Sequence, residues 1–283
     1  MIELGLSILF TICLFLFFKE FDRRKVDTLE AITFNYLSAG VLSIAFGSSG
    51  YSFENTIYAD WFIPTVFLGV FFIVMFNIMA LTTQKLGVTI GSLASKMSLI
   101  IPVIAAILFQ GDSWTILKSV GIVFALLSVY LTVKKDENKN GPIYLAIFLF
   151  VGAGLLDTVL SHIQFKYLDT QAAKDYFTST VFLVAFCVGF IMLIVKKQGF
   201  KMRNVIYGLS LGIPNYLSIL FVLKSLNKMD SSLVFPTLNI GVVALSALIG
   251  WGYYKEHLSK LNWLGIILAI TSIYILIYSK NAF

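Results

Sequence analysis

Gly121-Ile-Val-Phe-Ala125-Leu-Leu-Ser128-Val-Tyr130 is an apolar stretch that returns later in the chain as Gly265-Ile-Ile-Leu-Ala269-Ile-Thr-Ser272-Ile-Tyr274. Glycine, isoleucine, alanine, serine and tyrosine recur at a constant offset of 144 residues, and upstream Asp112 and Glu256 keep the same offset. At an offset of 143, Gly69 aligns with Gly212, Lys85 with Lys228 and Lys96 with Asn239. Apolar residues often coincide by chance, so the weight rests on a run of matches with one small gap. Two similar halves are expected, at residues 1–135 and 141–283.

Working outward, the chain has 283 residues, 58% of them hydrophobic and only 13% charged. Its mean hydropathy is +0.89. Soluble domains carry about 25% charged residues. A fold this apolar suits a bilayer, where the outer surface must be apolar as well. Ten apolar runs are legible, at roughly 2–19, 28–47, 60–84, 88–110, 114–133, 142–166, 174–195, 204–226, 230–252 and 260–279. Each approaches the ~20 residues that cross the hydrocarbon. Short polar pieces separate them, such as Lys134-Lys-Asp-Glu-Asn-Lys-Asn140, and aromatics including Tyr58, Trp61, Tyr144 and Trp263 mark span ends as an interfacial belt would.

The expected fold is therefore an all-α integral membrane protein of ten transmembrane helices in two five-helix repeats. Five is odd, so the halves run in opposite directions, as in many secondary transporters, whose binding sites lie near the midplane. The odd-numbered loops hold 14 of the 21 Lys and Arg residues, and the even loops and termini hold six. Basic loops stay in the cytoplasm, so a multi-pass protein of the cell membrane with both termini outside is expected.

Several function classes fall away. The net charge of +6 comes without a long basic run, so no nucleic-acid partner is expected. Cys13 and Cys187 lie in apolar runs without C-x-x-C spacing and read as packing residues. His162 and His257 have no metal-ligand spacing around them, and no cofactor or metal is expected. There is no P-loop to use ATP, no H-E-x-x-H, and no second deep carboxylate to partner Asp157, so an intramembrane enzyme is disfavoured. A channel or sensory protein is the other alternative. The start Met-Ile-Glu-Leu lacks the basic beginning of a signal peptide, so residues 2–18 read as a retained helix.

Polar residues inside spans carry the functional reading, because ionisable groups in hydrocarbon are costly and usually face a cavity. Lys96 stands about seven residues, ~10 Å, inside the fourth span, and Asp157 about nine residues, ~13 Å, inside the sixth. A carboxylate stem is too short to snorkel that far. The alternative for Asp157 is a hydrogen bond tying two helices together. Asn77, Asn215 and Asn239 offer amides that suit a polar or zwitterionic solute or, equally, a helix tie. Tyr216 adjoins Asn215 in Leu211-Gly-Ile-Pro-Asn-Tyr216, where Pro214 breaks the helical ladder. Counting rises puts Asn77 level with Lys96 and Asn239 level with Asp157, a basic and an acidic layer that an amino acid would bridge. Protons are an expected coupling ion if Asp157 is unpaired. Gly87-x-x-x-Gly91 and Gly208-x-x-x-Gly212 permit close helix contact, so either a monomer or a homodimer is open.

Gly111-Asp112-Ser-Trp…Gly121 and Lys255-Glu256-His-Leu-Ser…Gly265 give each half an acidic residue, polar positions and a glycine-bearing final helix. With ten helices in two repeats, this resembles the drug/metabolite transporter superfamily in its EamA-like branch, over nearly the whole chain. The resemblance implies a carrier of amino acids, other metabolites or drugs, often an exporter. One feature departs from that pattern: the loop after the second helix is commonly basic and cytoplasmic in the family, whereas residues 48–59 contain no Lys or Arg. The expected function is secondary transport of a small organic solute by alternating access.

Overall fold

A computed structural model of the chain describes residues 2–47, 53–109, 115–133, 142–168, 170–197, 199–226, 228–229 and 231–281. Asp112 with its Gly111–Trp114 segment, the loop 134–140, the boundary of the two halves and Asp230 lie outside the described residues. The described chain is helical: α1 (Ile2–Arg23), α2 (Thr28–Phe46), a short α3 (Phe53–Ile57), α4 (Phe62–Leu86), α5 (Val88–Met97), α6 (Ile100–Phe109), α7 (Ile116–Val133), α8 (Tyr144–Tyr167), α9 (Gln171–Val195), α10 (Met202–Leu226), α11 (Ser231–Gly252) and α12 (Lys260–Asn281).

Seven stretches are long and apolar enough to cross a membrane, one of them Val88–Ala105, which runs through α5 and α6. Three shorter apolar helices, Ile116–Thr132, Thr237–Gly252 and Lys260–Leu276, complete the set among the described residues. Large apolar side chains lie exposed along them, among them Phe67 (73%), Phe148 (60%) and Ile191 (59%). In water such a surface would be a liability; in a bilayer it is the solvent-facing side. The protein is thus a multi-pass helical membrane protein.

The fourth span differs from the uninterrupted run read in the sequence. It is broken at Ser98-Leu99, between α5 and α6. Pro102 is the cause: it has no N–H to give to the Ser98 carbonyl, which instead accepts from Ile101 N at 2.9 Å in a tighter turn. The Ser98 hydroxyl donates to Ser95 O at 2.6 Å, spending another carbonyl at the end of α5. Trp61, expected in an interfacial belt, is instead 6% exposed and packs edge-on to Phe177 at 6.0 Å.

The chain forms two compact units, and each draws on both halves of the sequence. The first holds residues 1–19, 79–155 and 218–283. Its core joins Leu93, Met97 and Ile100 to Ile122, Ala125, Val243, Ala269 and Ile273, from α5, α6, α7, α11 and α12. Within it, α7 and α12 approach closely because each brings a glycine to the contact. A Cβ placed on Gly121 would lie 2.7 Å from the Leu276 side chain, and one on Gly265 would lie 2.9 Å from the Ser128 carbonyl oxygen and against Thr132 Oγ1. Ser272 Oγ donates to Gly121 O at 2.7 Å across the same contact. Lipid gives helices no hydrophobic reason to associate, so close small-residue packing of this kind supplies the attraction.

The second unit holds residues 20–78 and 156–217. Here α2 packs against α9, and against α10 through the glycines of Gly208-x-x-x-Gly212. A Cβ on Gly212 would lie 2.6 Å from Asn35 O, and one on Gly208 would overlap Ala31 O. Gly87 and Gly91 of the first unit are likewise taken up inside the chain, against Glu256 and Thr83. Both glycine motifs therefore serve internal packing. The buried Tyr36 anchors the second unit's core, its hydroxyl donating to Phe72 O at 3.0 Å.

Candidate functional site

Lys96 occupies the last turn of α5, just before the Ser98-Leu99 break. No residue of α5 is exposed, and Lys96 itself is half-buried. A lysine on a helix with no lipid-facing side cannot be a surface lysine reaching to the headgroups. Close by, Gly154 of α8 packs onto the break, where an added Cβ would come within 2.7 Å of Ser98 O and 2.5 Å of Ile101. Asn239, on α11 of the same unit, is half-buried.

Asp157 lies on α8, where the exposed Phe148 (60%), Val151 (42%), Leu155 (47%) and Val159 (43%) form one apolar stripe, with the exposed Ile147 (54%) at its edge. Asp157 is exposed as well. At about 100° per residue it points roughly 160° round the helix from that stripe. Its exposure therefore opens on the side of α8 turned away from the lipid-type surface. His162 falls on the apolar stripe and is exposed there, as an interfacial histidine would be.

The remaining sequence-selected residues are in the second unit. Asn77 is half-buried and donates its amide to Ile73 O, one turn back on its own helix, at 2.8 Å. Asn215 is 5% exposed and donates to Asn35 Oδ1 at 3.2 Å. Tyr216 is 6% exposed, its ring stacked on Phe46 at 6.3 Å. Pro214, buried within α10, deprives the Ser210 carbonyl of its helical donor.

Asn35 escaped the sequence reading. It is fully buried, and its Nδ2 has no hydrogen-bond partner. A buried, unsatisfied amide donor costs about 1–3 kcal/mol. Asn35 stands seven residues into the second span, so the depth count that picked Asn77 would have found it.

Two carboxylates also hold places that sequence did not foresee. Glu256 binds the start of α5: Oε1 accepts from Val88 N at 2.6 Å, and Oε2 accepts from Thr89 N at 3.2 Å and Thr89 Oγ1 at 2.7 Å. Gly87 precedes that helix at φ +104°, a conformation other residues rarely adopt, and a side chain there would strike Glu256. Glu30 is 2% exposed and accepts from Lys201 N at 2.7 Å and Asn204 Nδ2 at 2.6 Å. Among the described residues no group of His, Cys, Asp and Glu is placed to hold a metal.

Buried and half-buried polar groups thus lie along helices long and apolar enough to cross a membrane, and one such helix is broken beside the lysine. Residues 142–278 match the EamA-like transporter family. That match, to a family of membrane transporters, spans a little under half of the chain, in its second part. It is 29% identical over 291 residues to an uncharacterized protein of Haemophilus influenzae (strain ATCC 51907 / DSM 11121 / KW20 / Rd), the alignment covering 96% of each. A protein of known crystal structure shares the fold with a TM-score of 0.57 at 15% identity, over 95% of this chain and 96% of that one.

Proposed function

We propose that the protein is a secondary transporter of small organic solutes, amino acids or related metabolites, working in the cell membrane by alternating access between two inverted five-helix repeats, 1–135 and 141–283. The observation that carries this reading is Asp157: an acidic side chain in mid-span, exposed on the side of α8 away from its apolar stripe. A lipid-facing carboxylate would be expelled, whereas one lining a water-filled path is the usual mark of a substrate or ion route. Lys96, on a helix without lipid-facing surface, supports the same reading.

The repeat plan draws support from reciprocity. Gly121 meets Leu276 and Gly265 meets Thr132, so the partners exchange roles at the same 144-residue offset. A two-fold relation between halves produces that exchange.

In this mechanism Lys96 of the first unit is a binding charge for carboxylate groups and Asn239 a hydrogen-bonding group, while in the second unit Asp157 is a binding charge for ammonium groups and Asn77, Asn215 and Tyr216 supply hydrogen bonds or packing. The break beside Lys96 leaves the end of α5 without a continuing ladder, and such discontinuous helices line the sites of many carriers. The carboxylate serves as a binding charge. Proton exchange at Asp157, coupling transport to a pH gradient, is the second reading.

Purified protein in proteoliposomes, screened with labelled amino acids and cationic dyes, should give saturable flux for one solute class. Flux that never saturates points to a channel and overturns the proposal, as does the absence of flux for every class.

A further inference from the structure

One end of the second unit carries a basic cluster that the transport reading does not use. It is formed by the α1–α2 turn, the α9–α10 turn and the start of α10, and it includes Arg24, Lys25, Lys196, Lys197, Lys201 and Arg203, all exposed. Two of these cations are gathered on one ring: the guanidinium carbons of Arg24 and Arg203 each lie 6.0 Å from the centroid of Tyr207. Arg24 Nη1 donates to Tyr207 OH at 2.9 Å, and Arg203 Nη2 donates to the backbone carbonyl of Arg24.

These partners are neutral, and the acidic residues nearby are already engaged or outnumbered. Glu20 is shared between Arg23 at 2.8 Å and Arg24 at 3.2 Å. Asp27 caps α2 by accepting from Glu30 N, and Glu30 is buried against Lys201 N and Asn204. Asp22 is the other acid of these turns. Holding two guanidiniums together on one ring under a net positive charge is unfavourable unless an anion joins them.

The cluster also has an apolar skirt. Ile194 (57%) and Val195 (74%) are exposed immediately before Lys196 and Lys197, and Phe200 (51%) and Met202 (72%) interrupt the cations of the second turn. A free phosphate has no use for that surface. A lipid does, because its phosphate and its acyl chains need both kinds of contact at one depth. We propose that this surface binds the headgroup of an anionic phospholipid, with the phosphate on Arg24 and Arg203 and the acyl chains along Val195 and Met202. Guanidinium forks match phosphate geometry, and juxtamembrane basic clusters attract anionic lipids.

The test is native mass spectrometry of the full chain released from detergent with equimolar phosphatidylglycerol and phosphatidylcholine. The wild type should retain phosphatidylglycerol preferentially. Arg24→Gln/Arg203→Gln should weaken that retention by about thirtyfold, at roughly fivefold per cation lost near the surface, and leave phosphatidylcholine adducts unchanged. Should that variant not fold, Lys196→Gln/Lys197→Gln, two exposed side chains, must reduce the preference in its place. Retention equal to wild type in the folded variant overturns the proposal. Displacement of the lipid by millimolar inorganic phosphate overturns it too, since the surface would then be a soluble-anion site.

Discussion

The carboxylate of Glu256, in the turn between α11 and α12, accepts the backbone N–H of Val88 at 2.6 Å and so closes the N-terminus of α5 from 168 residues away. It also satisfies Thr89 N and Oγ1. Glu256→Ala leaves these donors unpaired at a half-buried helix end, at a cost of about 1–3 kcal/mol. The variant should unfold several degrees below wild type in detergent, with Glu256→Gln in between. An unchanged midpoint for Glu256→Ala would show that water replaces the cap freely.

Gly265 is pressed against Thr132 and the Ser128 carbonyl. A valine there forces α7 and α12 apart, and overpacking of this kind costs about 1–3 kcal/mol. Ser272→Ala, which removes only the bond to Gly121 O, should cost less, about 0.6 kcal/mol for a hydrogen bond between membrane helices. Thermal unfolding of both variants checks the order, and the reverse order would mean that hydrogen bonding, not close packing, holds this pair.

Asn215 gives its amide to Asn35 in a buried contact between α10 and α2. Asn215→Leu strands an acceptor and should destabilise by about 1–3 kcal/mol, whereas Asn35→Leu/Asn215→Leu removes both partners and should recover most of that. The recovered double variant should still lose flux in proteoliposomes. Wild-type flux would mean that Asn215 only ties the helices together.

Asp157→Asn separates the two roles proposed for the carboxylate. As a binding charge, its loss should abolish solute exchange, worst for solutes bearing an amine. As a proton carrier, its loss should spare exchange and abolish uphill accumulation driven by a pH gradient. The first outcome is expected. Exchange and accumulation both at wild-type level would make Asp157 structural.

From the distribution of Lys and Arg, the odd loops are expected inside and both termini outside. A reporter that folds only in the cytoplasm, fused after Phe283, should be inactive. Activity would reverse the topology, which is the orientation suggested by the family resemblance.

Much of this molecule was legible without coordinates. Bilayer solvation demands runs of about 20 apolar residues, and that demand is local, so composition alone marks helices such as α2 and α9. The offset linking Gly121 to Gly265 is equally a property of the string. Position along a span follows from counting rises, which brought out Lys96 and Asp157 as charged residues well inside apolar runs. The same count applied to the second span would have brought out Asn35.

Which way a side chain turns was not legible, because rotation about a helix axis is set by its neighbours. Only the folded chain shows Asp157 opposite the apolar stripe of α8, and Trp61 buried beside Phe177 instead of in a belt. The break at Ser98-Leu99 was foreshadowed by Pro102, but whether a membrane proline kinks a helix or splits it depends on what satisfies the freed carbonyl. The pairings of Glu256 with Val88 and of Glu30 with Asn204 join residues 168 and 174 positions apart. Such contacts exist only after packing, when a buried carboxylate must take whichever donors the neighbouring helix ends present. The sequence by itself determined that this chain crosses a membrane many times, repeats itself and carries charges within its apolar runs. Tertiary structure alone decided which faces those charges occupy and which partners hold them, because hydrophobicity acts on each segment separately while hydrogen bonding and close packing act between segments distant in sequence.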